Sequence, residues 1–138
     1  MPQLEISQLH AFFALTPVTH SQPLGDFAAE CVRYFHPFAA PLNEAEVAKR
    51  NPALLSASQR HHLDQWGYPY VFDEFRFHMT LTRSVTAKEA PALRLVLEEH
   101  FDTALRAPMR CTALALAIEE APAAPFLVHR FQSLLATR

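Results

Sequence analysis

Arg76, His78, Thr80 and Thr82 stand at alternate positions in the stretch FRFHMTLT, residues 75–82, with Phe75, Phe77, Met79 and Leu81 between them. Strand side chains alternate between faces. The spacing therefore predicts a strand with four polar groups on one side and an apolar face on the other. Those polar groups share a chemistry. Histidine, with an ordinary pKa near ~6.5, exchanges a proton at neutral pH. A threonine hydroxyl two residues along projects from the same face and can hold a phosphate oxygen, and an arginine adds charge for the same anion. Proton transfer beside a bound phosphate is thus the chemistry on offer, with His78 as acid–base group, Thr80 as the phosphate grip, and Arg76 and Thr82 beside them. The competing reading is a histidine simply solvated or hydrogen-bonded on a polar strand face. No carboxylate shares that face at ligand spacing, so neither a metal nor a cofactor is expected.

The remaining reactive side chains say less. Adjacent helical residues point about 100° apart, so His61 and His62 cannot share a metal unaided and read as surface groups. Cys31 and Cys111 each lie in an apolar periodic segment, which predicts two reduced, buried thiols. No C-x-x-C occurs, which leaves redox and zinc-ribbon readings without support.

Several elements must position the 75–82 strand. Residues 4–15 read as one strand that turns apolar on both faces, ended by Pro17. Leu24, Phe27, Ala28, Cys31, Val32 and Phe35 recur at helical spacing behind Ser21, a candidate N-cap, and Pro37 stops that helix. NEAE at 43–46 and SASQ at 56–59 match the capping-box pattern, with Gly67 as a C-terminal stop. Leu93, Val96, Leu97, Phe101 and Leu105 mark a long helix opening near Pro91. Residues 110–118 and 125–135 read as two closing strands. With only two glycines, tight primed turns should be scarce and the last loop longer. The order predicts an α+β fold, a mostly antiparallel sheet with helices packed on one face.

The chain has 138 residues, half of them hydrophobic and 19% charged, with a net charge of −2. That suits one soluble domain spanning 1–138 and excludes a disordered tail. No basic run exists to track a long nucleic acid. No signal peptide or membrane-spanning stretch is apparent, so a cytoplasmic protein is expected, with no membrane partner.

HMTL, and the longer string WGYPYVFDEFRFHMTLT (66–82), resemble the 2H phosphoesterases and within them an uncharacterised branch associated with phosphonate metabolism. FFALTP, CVRYFHPFAAPLNEAEVAKR and APFLVHRFQSL resemble the same branch in order and spacing, and the likeness covers nearly the whole chain. The resemblance implies cleavage of a small cyclic phosphate, phosphodiester or nucleotide, with His78 catalytic and Thr80 on the phosphate. Trp66, Gly67, Tyr68 and Tyr70 match the string, and the tyrosines could stack on a base or pack the cleft approach. These enzymes pair two such histidines across two lobes, and this chain resembles the second lobe. Only one His-x-Thr occurs, so the site is expected to be incomplete, and a non-catalytic lobe that binds a phosphate ligand or a partner is the alternative. A lobe that lacks its neighbour while keeping eleven phenylalanines is expected to cover its apolar surface by forming a homodimer.

Overall fold

A computed structural model describes residues 2–121 and 124–134. Strands β1 (Leu4–Leu9) and β2 (Phe12–Pro17) pair antiparallel, with Leu4 opposite Pro17 and Leu9 opposite Phe12. The single strand expected over 4–15 is therefore a hairpin. His10 makes the break, at φ 52. A two-residue hairpin connection needs left-handed backbone, which histidine tolerates better than most residues with a Cβ. Scarcity of glycine did not prevent this tight turn.

Strand β3 is only Met79–Thr80, paired antiparallel to β2 with Ala14 opposite Thr80 and Leu15 opposite Met79. It is shorter than the strand expected over 75–82, and proline explains one end. Bonded pairs alternate along an antiparallel ladder. Leu81 N donates to Phe13 O at 2.9 Å, so the bonded pairs that follow in register are Leu15–Met79 and Pro17–Phe77. Pro17 has no N–H to give, and the ladder stops before it. At the other end a side chain takes over from the backbone, because Phe13 N donates to Thr82 Oγ1 at 3.0 Å.

Helix α1 (Gln22–Phe35) follows Ser21, which holds the N-cap position without a side-chain capping bond. Leu24 is its one buried residue, and Phe35 is exposed. Cys31 and Cys111 are free thiols, but both are half-buried rather than buried. Helices α2 (Glu44–Lys49) and α3 (Ala57–Trp66) carry both expected capping boxes. Asn43 and Glu46 bond reciprocally at 3.0 and 2.9 Å, and Ser56 and Gln59 at 3.1 and 3.1 Å. Gly67 ends α3 at φ 75, donating its N–H to Leu63 O at 2.9 Å, a left-handed stop that glycine reaches without a Cβ penalty.

Helix α4 (Ala90–Leu105) has a reciprocal Thr86–Glu89 pair just upstream. These bonds, from the Thr86 N–H and hydroxyl and then from Arg83, hold the Glu89 carboxyl below its ordinary pKa. Arg94 docks α4 on the sheet, its guanidinium 5.1 Å from the centre of the Phe13 ring and its Nη1 donating to Ile6 O at 3.3 Å. Around that contact lie the buried side chains Leu4, Phe13, Ala14 and Leu15, with Leu24, Leu55, Leu63 and Val71 also buried.

Strands β4 (Ala113–Ile118) and β5 (Leu127–Ser133) form a second, two-stranded antiparallel sheet with a bulge between Leu116 and Ala117. Among the described residues the fold is α+β with antiparallel strands, divided into sheets of three and two strands. Leu135, the last residue of the expected closing strand, lies outside the described residues. No described helix is long and apolar enough to cross a membrane.

Candidate functional site

His78 enters β3 in extended chain held by β2, and its side chain is exposed. Its Nδ1 lies 2.8 Å from the Arg76 carbonyl oxygen. A carbonyl only accepts, so Nδ1 carries the hydrogen, and in the neutral ring Nε2 holds the bare lone pair. The Phe12 ring, 6.0 Å away centre to centre and tilted by 46°, flanks the imidazole. The local fold thus fixes a tautomer and leaves Nε2 as the nitrogen able to take a proton from a ligand. Thr80 is exposed two residues on, on the same side by the strand's alternation. No described residue hydrogen-bonds its hydroxyl.

The other candidates divide. Thr82 Oγ1 accepts from Phe13 N at 3.0 Å and donates to Arg83 O at 2.8 Å, so this hydroxyl completes the sheet edge. Arg76 is exposed and lines a groove of about 620 Å³ between α1 and the chain around Phe72–Phe77. Asp26, Arg33 and Asp73 share that groove, whereas His78 and Thr80 are not among its lining residues. Tyr68 and Tyr70 meet edge to face, 5.6 Å between centres, and the Arg50 guanidinium sits 4.9 Å from the Tyr68 ring centre. The two tyrosines are engaged with each other and with Arg50, and both remain partly open to solvent.

One group that sequence reasoning misplaced lies behind the motif. His62, read as a surface residue, is buried at 8% exposure, and its Nε2 lies 2.6 Å from Asp73 Oδ1. Ser58 Oγ donates to Asp73 Oδ2 at 3.1 Å, and Gln59 Nε2 to Glu74 Oε2 at 2.9 Å. Chiefly the His62 hydrogen bond holds the Asp73 carboxyl below its ordinary pKa, aided by its own backbone and Ser58, against a desolvation that raises it. Phe72, at φ 54, packs its ring 5.6 Å from His62 and 4.9 Å from Trp66. Together these contacts tie α3 to the Phe72–Glu74 turn, two residues ahead of Arg76 and four ahead of His78. The Ser58–His62 spacing of one helical turn was the available signal, but its meaning depended on where Asp73 would land.

Comparison with known proteins places this chain in a family. Residues 1–127 match the model of a family described as a protein of unknown function, DUF1045. The chain is 40% identical over 131 residues to a protein of Janthinobacterium sp. (strain Marseille) named ribose 1,5-bisphosphate phosphokinase PhnN, covering 92% of this chain and 29% of that relative. It is 33% identical over 135 residues to a protein of the same name from Laribacter hongkongensis (strain HLHK9), again covering 92% of this chain and 29% of the relative. The chain therefore spans less than a third of the length of these curated relatives. No solved structure matches it.

Proposed function

The chain belongs to the DUF1045 family of unknown function, and from that premise we propose that it handles a small phosphate-bearing ligand through His78 and Thr80, in the manner of a 2H-type phosphoesterase. The observation that carries this reading is the His78 hydrogen bond. By donating Nδ1–H to the Arg76 carbonyl at 2.8 Å, the ring offers an outward Nε2 that can accept or return a proton. The Thr80 hydroxyl, two residues along the same extended face, supplies the donor that a phosphate oxygen needs. The name of the longer relatives, a phosphokinase acting on a bisphosphate sugar, is in keeping with phosphate ligands, and the 66–82 string points to a role in phosphonate metabolism. A phosphokinase activity is not assigned to this chain. Gly25 and Gly67 are its only glycines, which leaves no G-x-x-x-x-G-K-[ST] loop to cradle a nucleoside triphosphate.

In this reading His78 abstracts a proton from the attacking hydroxyl or water as a cyclic phosphodiester opens, or donates one to the leaving oxygen. Thr80 holds a non-bridging oxygen. One acid–base group supplies about 10²–10⁴-fold, and the sequence holds a single His-x-Thr, so slow turnover is expected. The same single motif favours a second reading, binding without turnover.

A screen of 2′,3′-cyclic nucleotides and small phosphodiesters, with calorimetric binding alongside, tests both. We expect turnover that His78→Ala lowers by at least a hundredfold, and binding that Thr80→Val weakens. Binding that depends on Thr80 without any turnover selects the second reading. Turnover indifferent to His78→Ala, or binding indifferent to both variants, ends the proposal.

A further inference from the structure

The groove between α1 and the chain around Phe72–Phe77 holds about 620 Å³, a volume within the range of small-molecule sites. Phe75 and Phe77 line it and are half-buried. Phe72 is already engaged by His62, Trp66 and the Arg33 guanidinium, which lies 5.1 Å from its ring centre. The other charges of the lining are committed as well. Arg33 pairs with Glu30 at 2.7 Å, Asp26 accepts from Gln22 Nε2 at 2.8 Å, and Asp73 is bonded by His62 and Ser58. Among the described residues the Arg76 guanidinium has no hydrogen-bond or ion-pair partner, so the lining keeps one uncommitted cation.

Gly25 lines the groove from within α1, and glycine is a poor residue for a helix. Its backbone does not call for glycine, since Gly67 is the one glycine with a positive φ. Packing does not call for it either, because a Cβ there would meet nothing within 4 Å. The missing side chain leaves open room against the helix backbone that no neighbour fills.

We propose that this groove binds a small aromatic anion, with its flat ring against Phe75 and Phe77 beside Gly25 and its negative group on Arg76. The lining selects that occupant. Phe75 and Phe77 offer flat apolar contact, and an uncommitted guanidinium takes an anion. A cation would have to displace Gln22 from Asp26, or His62 from Asp73. A covering polypeptide segment would need backbone partners, and the walls have few to give. Helix α1 bonds its own N–H and C=O groups internally, and the Arg76 carbonyl accepts from His78. The site is independent of the phosphate reading above, since neither His78 nor Thr80 lines the groove.

The chain's two glycines report the site directly. Labelled with ¹⁵N at glycine alone, the protein gives two amide signals, from Gly25 in the groove and from Gly67 at the end of α3. Gly25→Ala identifies the first by deleting it, and should raise the thermal midpoint because the fold does not need this glycine. The probe is 2-naphthoate, which has a ring and a carboxylate but no phosphate for Thr80 to hold. Its titration should move the Gly25 signal and leave Gly67 in place, with a dissociation constant on the order of 1 mM or tighter. Arg76→Gln should weaken binding about tenfold, as should exchange of the probe for uncharged 2-naphthylmethanol. Gly25→Leu should fill the groove and abolish binding by calorimetry, with the Gly67 signal unmoved as the check on folding. A Gly25 signal that stays in place on the unaltered chain overturns the proposal. So does an equal response of Gly67, affinity indifferent to Arg76→Gln, a folded Gly25→Leu variant that still binds, or a midpoint lowered by Gly25→Ala.

Discussion

The β1–β2 hairpin and the β4–β5 hairpin are built from similar parts and end in opposite environments. Each has two antiparallel strands of six or seven residues, one of them mostly apolar (FFALTP in β2, ALALAI in β4) and one more polar (LEISQL in β1, LVHRFQS in β5). In the first, Phe13 and Ala14 reach 0% exposure, because Arg94 of α4 lies over the Phe13 ring and β3 closes the edge of β2. In the second, Phe131 stands 71% exposed, and the described β4 and β5 pair only with each other. Burial therefore belongs to what packs on a strand, not to the strand's own composition. The covered sheet is also the one that holds His78 and Thr80 in place.

The sharpest way to break that comparison is to truncate the two phenylalanines. Phe13→Ala should cost about 3–5 kcal/mol by removing a fully buried ring. Phe131→Ala should stay within about 0.5 kcal/mol of the unaltered protein. Denaturant titration reads both, and equal losses would abolish the distinction. A smaller effect sharpens the helical side. Ser56→Ala deletes one arm of the α3 capping box and should cost about 1 kcal/mol, visible as a lowered thermal midpoint. An undiminished midpoint would mean that α3 is held by tertiary packing alone.

The smallest effect concerns the His62–Asp73 tie between α3 and the Phe72–Glu74 turn. The Asp73 carboxyl sits below its ordinary pKa in the folded chain. Its stabilising contribution is therefore complete above the ordinary carboxyl value of about 3.9 and is lost as pH falls through the lower folded value. Trp66, whose ring lies 4.9 Å from Phe72, should report loosening of the turn by a fluorescence change on the acid side. Asp73→Asn should remove that acid-side change, and an Asn variant that retains it would assign the effect to another carboxyl.

What the sequence alone determined is whatever closes within a few residues. The Asn43–Glu46 and Ser56–Gln59 boxes and the stop at Gly67 formed where the motifs placed them, because cap and first turn need only their own backbone. The α+β order was legible for the same reason, each periodic segment carrying its own signal. The strand of the motif was only partly legible, since its ladder pairs only Ala14–Thr80 and Leu15–Met79 and runs out towards Pro17, a register that no local pattern states. Tertiary structure alone decided three further matters. It split residues 4–17 at His10, a turn written without glycine. It drew His62 inward, because Asp73, eleven residues away, came within 2.6 Å to accept its hydrogen bond. And it left β4 in water although ALALAI is at least as apolar as the FFALTP of β2, since burial requires a second surface, and which surfaces meet is a property of the assembled molecule.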